Sequence, residues 1–330
     1  MIAVDRILCP VDPSAFSQQA LEYAVAIADY YDARVTALHI HEERRAVTAT
    51  VPLLDGERGH ATSPAPIDRV TVAAAEQLVA RVAAHGGVDV IMHEASSTAA
   101  GILAAADALD ASLIVMGSHG WPGFQRRFLG PVTVQVLRQS RRPVLVLPPP
   151  IDGPPAMPFA RVLCPIDFST NSLHALEYAL GLALEADARL TLLHAIELPP
   201  ESHVGTLALD ERAAGARARA GADRRARLQA LIPAGARNCG TIETAVTAAV
   251  DRRAHREILE TAAREHCDLI VMGIQGGGAE NVTLFGSTSL GVLHGATCPV
   301  LVIRDSRPHP RPSAGPDGNQ DSTTWRAAAN

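Results

Sequence analysis

The chain has 330 residues, of which 47% are hydrophobic, 4% aromatic and 19% charged, and its net charge is −6. At roughly 100–200 residues per domain the length implies two domains with ordinary cores, and the apolar content excludes a wholly disordered chain. No apolar run approaches the roughly 20 residues of a membrane span, and the acidic balance argues against a general nucleic-acid binder.

In chain order, Met1–Asp5 carries neither the basic nor the apolar region of a secretory signal. Short β-branched runs then alternate with helical patterns. Strands are expected at 4–11, 35–40, 88–92, 113–116 and 144–147, and helices at 14–31, 69–85, 98–110 and 131–140. Segment 44–66 reads as a long loop. The stretch from Leu147 to Pro158 holds six prolines and reads as a stiff spacer. Beyond it the pattern begins again. Arg6-Ile7-Leu8-Cys9-Pro10-Val11-Asp12 returns as Arg161-Val162-Leu163-Cys164-Pro165-Ile166-Asp167, and Ala20–Ala24 returns as Ala175–Ala179. Leu113-Ile114-Val115-Met116-Gly117 returns as Leu269-Ile270-Val271-Met272-Gly273, and Pro143–Val146 as Pro299–Val302. This is a tandem duplication. In the second repeat, 199–240 reads as a long loop with a helix near Asp210–Leu231, and the polar stretch after Arg304 as a disordered tail. The expected organisation is domain 1 at 1–147, a linker at 148–158, domain 2 at 159–304 and a tail at 305–330.

Near-continuous apolar strands require burial on both faces, as in parallel sheets covered by helices. The fold class is therefore α/β: two tandem open parallel sheets, doubly wound, in which ligands bind beyond the carboxyl ends of the strands where strand order reverses.

Composition also limits the chemistry. The chain contains no lysine, which removes Schiff-base enzymes, the P-loop lysine and the protein-kinase lysine together. Five cysteines form no CxxC pair, consistent with a reducing cytoplasm. Cys9 and Cys164 read as small core residues, whereas Cys239, Cys267 and Cys298 await a measure of exposure. Ser14 and Ser169 read as helix N-caps, and no GxSxG elbow surrounds them. His39 and His194 read as buried, hydrogen-bonded imidazoles. His39 and His41 are taken to face opposite sides of their strand, against a joint metal site. The arginines from Arg212 to Arg227 read as a solvated helix face. No catalytic residue and no metal ligand is assigned.

The loop after the fourth strand of each repeat has the spacing G-x2-G-x9-G: Gly117, Gly120 and Gly130, then Gly273, Gly276 and Gly286 followed by Ser287-Thr288. Glycine permits φ > 0 and close approach of a ligand, and the helix starting at the last glycine offers free N–H groups to a phosphate. The chain here resembles the universal stress protein family in its tandem form. The likeness rests on Cys-Pro-[Val/Ile]-Asp-x-Ser, His39 and His194, Leu-Ile-Val-Met-Gly, the glycine loop and Pro-Val-Leu-Val.

The resemblance implies five-stranded domains that pair through their last strands; one branch of the family binds ATP and another has lost the nucleotide site. For the second repeat it implies Asp167 at the ribose, Pro165, Ile166 and Ala195 at the adenine, Met272, Gly273 and Gly276 beside the sugar and phosphates, and Gly286, Ser287 and Thr288 on the phosphate chain. The first-repeat equivalents are Pro10, Val11, Asp12, Ile40, Met116, Gly117, Gly120 and Gly130. Pro131 stands where Ser or Thr is expected and deletes a hydroxyl and an N–H together, although Arg126 and Arg127 remain in that loop. The second repeat keeps Ser287 but carries Glu280 and no arginine from Gly273 to Ile303, leaving Mg²⁺, the helix end or a distant arginine to balance phosphate charge. The expectation is a cytoplasmic stress-response protein that binds ATP, mainly in domain 2, through binding rather than catalysis. Its domains would pair within the chain, with a homodimer of chains also open. The alternative is a nucleotide-free interaction scaffold.

Overall fold

The computed structural model describes residues 4–42, 47–52, 58–63, 87–119, 129–149, 155, 157–197, 219, 221–236, 241–249, 254–274 and 286–304. The expected helix at 69–85, the tail and most of the linker lie outside them.

Strand formation follows the apolar runs. In β1 (Arg6–Pro10), Ile7 and Cys9 enter the core on one face of the sheet and Leu8 enters the core on the other. The same split recurs in β7 (Val144–Leu147), where Leu145 and Leu147 oppose Val144 and Val146. The helices are delimited by their caps. Ser14 accepts from the Ser17 N–H at the start of α1 (Ala15–Tyr31), and Ser169 accepts from the Ser172 N–H at the start of α4 (Thr170–Ala186). Each helix ends on an aspartate in the left-handed region, Asp32 at φ 54° and Asp187 at φ 50°. Both N-caps are where sequence reasoning put them.

In the first repeat β2 (Arg34–Glu42), β5 (Val88–Ala95), β6 (Leu113–Gly117) and β7 join β1 in the parallel order β5-β2-β1-β6-β7. The second repeat reproduces this with β8 (Arg161–Pro165), β9 (Arg189–Glu197), β10 (Ile242–Ala249), β11 (Leu269–Gly273) and β12 (Val300–Ile303) in the order β10-β9-β8-β11-β12. Strand order reverses beside β1 and beside β8, which fixes where a ligand crevice opens. α1 and α4 cover one face. On the other lie α2 (Thr98–Ala108) and α3 (Pro131–Gln139), followed in the second repeat by α5 (Ala254–Arg264) and α6 (Ser287–Gly295). A further helical stretch at 221–231 sends Leu228 into the α4 side of the core.

β7 and β12 pair antiparallel, Val146 opposite Val300 and Val144 opposite Val302. The two repeats thereby share one ten-stranded sheet, and each of its two cores runs through both repeats. The strands on the two sides of this seam run in opposite directions, so their carboxyl ends open at opposite ends of the sheet.

One expectation fails. Segment 44–66 is not simply a loop, because β3 (Val47–Pro52) and β4 (Arg58–Ser63) form an antiparallel pair with Val47 opposite Ser63. The β-branched alternation of Val47 to Val51 and the intervening Asp55-Gly56 carry that information in the sequence. Among the described residues no helix is long and apolar enough to cross a membrane.

Candidate functional site

Matching parts stand at the carboxyl ends of the strands in the two repeats, and they differ in detail. In the second repeat, β8 ends at Pro165 and leads through buried Ile166 to exposed Asp167. The Ile166 N–H donates to Leu193 O at 2.8 Å, and His194 Nδ1 lies 2.6 Å from Ile166 O. A ring nitrogen facing a carbonyl must carry its proton, so His194 is the donor that holds the loop against β9. His39 holds Val11 O in the same way at 2.8 Å. The reading of both histidines as hydrogen-bonded imidazoles is correct, and His39 is also buried. The placing of His39 and His41 on opposite sides is wrong: residues two apart on a strand share a face, and the rings meet edge-on with centroids 4.6 Å apart. Burial and the neighbouring His39 lower the pKa of His41, against the pull of Glu94. Among the described residues no three metal-ligating side chains converge.

The two aspartates are engaged alike, each by the serines two and five residues further on. Asp12 Oδ1 accepts from the Ser14 N–H at 3.2 Å, from the Ser14 hydroxyl, and from Ser17 Oγ at 2.5 Å. Its carboxylate is drawn into the first turn of α1. Asp167 Oδ1 accepts from the Ser169 N–H at 2.9 Å. Burial pushes the Asp167 carboxyl up, but hydrogen bonds from Ser169 and Ser172 outweigh it and hold the group below its ordinary value.

The glycine loops also part company. Gly117 and Gly273 are glycines because helices crowd them. A Cβ on Gly117 would come within 2.8 Å of Phe16 Cβ, and one on Gly273 would collide with the Asn171 carbonyl in the first turn of α4. Positive φ is not the reason: among the described glycines only Gly87 adopts it, and Gly130 and Gly286 have φ −59° and −54°. Gly120 and Gly276 lie outside the described residues, as do Trp121, Arg126, Arg127 and Glu280. At the helix entrances, the Gly130 N–H donates to Ser118 O at 2.8 Å, Pro131 has no N–H, and the Thr133 hydroxyl donates to Gly117 O at 3.1 Å. At the second entrance, among the described residues, Gly286 makes no corresponding bond to Ile274, whose own N–H donates to Ile303 O at 2.9 Å. α6 begins with Ser287 and Thr288, and no side chain caps it. α3 has no side-chain cap either, so the shown difference at the first helical position is the amide and hydroxyl that Ser287 has and Pro131 lacks.

The other expected contacts are backbone ones. Met116 and Met272 bury their side chains in the core on the α2–α6 face, and Ile40 packs there against Gly101. Ala195 lies on β9, in register with Thr247 of β10, one residue past His194. Pro10, Val11, Met116 and Gly117 line up at the ends of β1 and β6 as Pro165, Ile166, Met272 and Gly273 do at β8 and β11.

Sequence reasoning missed one group. Phe168, next to Asp167, sits at φ 64°. Its ring packs on His194 at 4.8 Å between centroids and lies under the Arg227 guanidinium at 4.0 Å, with Arg224 at 5.9 Å. These two arginines are thus not a purely solvated face, and nothing local in the sequence connects them to Phe168. Cys239 lies outside the described residues, and burial disfavours the thiolate at the other four cysteines. Cys9 and Cys164 are fully buried with their pKa values raised, and burial pushes Cys267 to about 11 and Cys298 to about 12.

The model of the universal stress protein family matches twice, at residues 3–148 and 158–304. Universal stress protein Rv2623 of Mycobacterium tuberculosis is 26% identical over 319 residues, covering 91% of this chain and 96% of that protein. Rv2005c from the same species is 30% identical over 208 residues, and that match spans only 63% of its length and 60% of this chain. Among solved structures, a universal stress protein from Archaeoglobus fulgidus superposes with TM-score 0.55 at 23% identity, covering 91% of this chain and 96% of that one. A protein of unknown function from Pseudomonas aeruginosa superposes at 0.61 with 19% identity, covering 92% and 94% respectively. These superpositions speak to the fold. With two family matches along nearly its whole described length, the chain belongs to the universal stress protein family as a tandem member.

Proposed function

We propose that this chain is a cytoplasmic stress-response protein that binds ATP in its second repeat and acts by binding rather than by catalysis. The observation that carries this reading is the contrast at the two helix entrances. Gly130 and Pro131 have their donors closed or deleted, whereas Gly286, Ser287 and Thr288 present backbone N–H groups and two hydroxyls at the positive end of a helix. Asp167 is the ribose acceptor; Pro165, Ile166 and Ala195 border the base, and Met272, Gly273 and Gly276 follow the sugar and phosphates. Mg²⁺ accompanies the phosphates and balances their charge. The functional units are residues 1–147 and 159–304, joined by the 148–158 linker and followed by the 305–330 tail. The glycine loops carry no phosphate-activating signature in the sequence, and hydrolysis is slow at most.

The test is to extract purified protein, identify the released nucleotide and quantify it per chain, with Gly286→Glu and Gly130→Glu alongside. A Cβ fits at Gly286, and at Gly130 it meets its nearest atom at 3.5 Å, so neither change is barred at Cβ, and the thermal unfolding of each variant is measured alongside. About one ATP per chain, lost only with Gly286→Glu, is expected. Pro131 in the first repeat favours a second reading, a nucleotide-free scaffold. Absence of nucleotide, followed by no calorimetric binding of Mg-ATP, would establish it.

A further inference from the structure

A non-glycine residue at φ 64° is held there only if its surroundings compensate, because the left-handed region crowds Cβ against the backbone. Phe168 is such a residue, and it is the link between Asp167 and the N-cap Ser169. Its ring is gripped from two sides. His194 packs on it while using Nδ1 to hold the carbonyl of Ile166, and Arg227 lies over it from the 221–231 helix, which is anchored in the core by buried Leu228. A guanidinium 4.0 Å from a ring centroid is within the distance of a favourable cation–π contact. The first repeat has Pro13 in place of Phe168, and the pyrrolidine ring excludes positive φ altogether. The second crevice therefore depends on a contact from a distant helix that the first does not need.

We infer that Arg227 is a positioning residue for the second-repeat site: by clamping Phe168 against His194 it holds the 167–169 loop in the conformation that presents the Asp167 carboxylate at the strand ends. This rests on the proposed nucleotide site and adds a residue that touches no part of the ligand. Arg224, at 5.9 Å, is at the outer limit of such contacts and contributes little.

The inference makes a specific demand on ligand chemistry. Asp167 serves the ribose, so loss of the clamp weakens adenosine and ATP alike, whereas a guanidinium that met phosphate would weaken ATP alone. The measurement is calorimetric affinity of the full chain for Mg-ATP and for adenosine, in wild type, Arg227→Ala, Arg227→Lys, Phe168→Gly and the Phe168→Gly/Arg227→Ala double variant. Arg227→Ala is expected to weaken both ligands by the same factor, roughly threefold to thirtyfold. Arg227→Lys, which keeps the cation but loses the flat guanidinium, falls between it and wild type. Glycine adopts positive φ without strain, so in the Phe168→Gly background removal of Arg227 changes nothing. That last outcome separates positioning from a general contribution to folding, which would persist in both backgrounds. Unchanged affinity in Arg227→Ala, loss confined to ATP, or an undiminished effect in the Phe168→Gly background would each overturn the clamp while leaving the nucleotide site standing. A wild-type chain that binds neither ligand overturns both.

Discussion

The two repeats share one plan, and the carboxyl ends of their sheets show how few residues differ where the two proposed sites lie. In the first, Asp12 is tied to Ser14 and Ser17, the Gly130 amide is given to Ser118, and proline occupies the next two critical positions, 13 and 131. In the second, Asp167 is tied to Ser169 and Ser172 in the same manner, but Ser287 restores an amide and a hydroxyl, and Phe168 takes a backbone conformation that proline cannot. The β-strands, the histidine that secures each loop and the N-cap serines are common to both. What differs is the disposal of a handful of hydrogen-bond donors and acceptors. A fold can thus preserve its core in duplicate while the residues at its strand ends diverge.

The comparison can be broken in graded ways. The largest expected effect is steric. Gly273→Ala drives a Cβ into the backbone of Asn171, and should cost about 3 kcal/mol in thermal or denaturant unfolding. Gly117→Ala meets Phe16 Cβ at 2.8 Å, less closely than Gly273→Ala meets the Asn171 carbonyl, and should cost about 2 kcal/mol. Equal losses would show that the two helix–strand contacts are equivalent after all. Next is the entrance to α6. Ser287→Pro copies the first repeat, keeps a good helix start and removes an amide and a hydroxyl; ATP affinity by calorimetry should fall roughly tenfold to hundredfold. The reverse change, Pro131→Ser, should gain little, because Gly130 remains bonded to Ser118.

Smaller effects sharpen the picture. His39→Ala should destabilise by about 2 kcal/mol and His194→Ala by about 1 kcal/mol in chemical denaturation, since His39 is the more buried of the two. The smallest concerns pH. The folded pKa of Asp167 lies below its unfolded value, so its contribution to stability is complete above the ordinary carboxylate range and fades as pH falls through the depressed value. Asp167→Asn should lower the melting temperature slightly at neutral pH and converge with wild type at acid pH, so that the acid limb of the profile flattens. A variant with an identical acid limb would show that the loop serines do not distinguish the ionised form.

Most of the architecture was legible because burial on both faces leaves unmistakable apolar runs, and because Leu-Ile-Val-Met-Gly and Cys-Pro-[Val/Ile]-Asp each occur twice. The loop glycines were legible as important but for a partly mistaken reason. Gly117 and Gly273 accommodate neighbouring helices, a property of packing that no spacing rule encodes. The hairpin of β3 and β4 escaped notice because its strands, Val47–Pro52 and Arg58–Ser63, are polar beside the core strands. The stack of Arg227 on Phe168 was beyond reach, since it joins residues on different elements and depends on the backbone angle of one of them. The error over His39 and His41 lay in applying the two-residue period of a strand.

The antiparallel pairing of β7 with β12 has a kinetic and thermodynamic consequence. Where two separate chains meet through such strands, association is bimolecular and the joined state vanishes on dilution. Here the partner strand is covalently tethered, at an effective concentration set by the 148–158 linker rather than by expression level. The melting temperature should therefore be independent of protein concentration, and the joined edges are withheld from exchange with other chains. Because the strands on either side of the join run in opposite directions, the molecule also carries its two crevices back to back, so that a partner engaging one end leaves the other free.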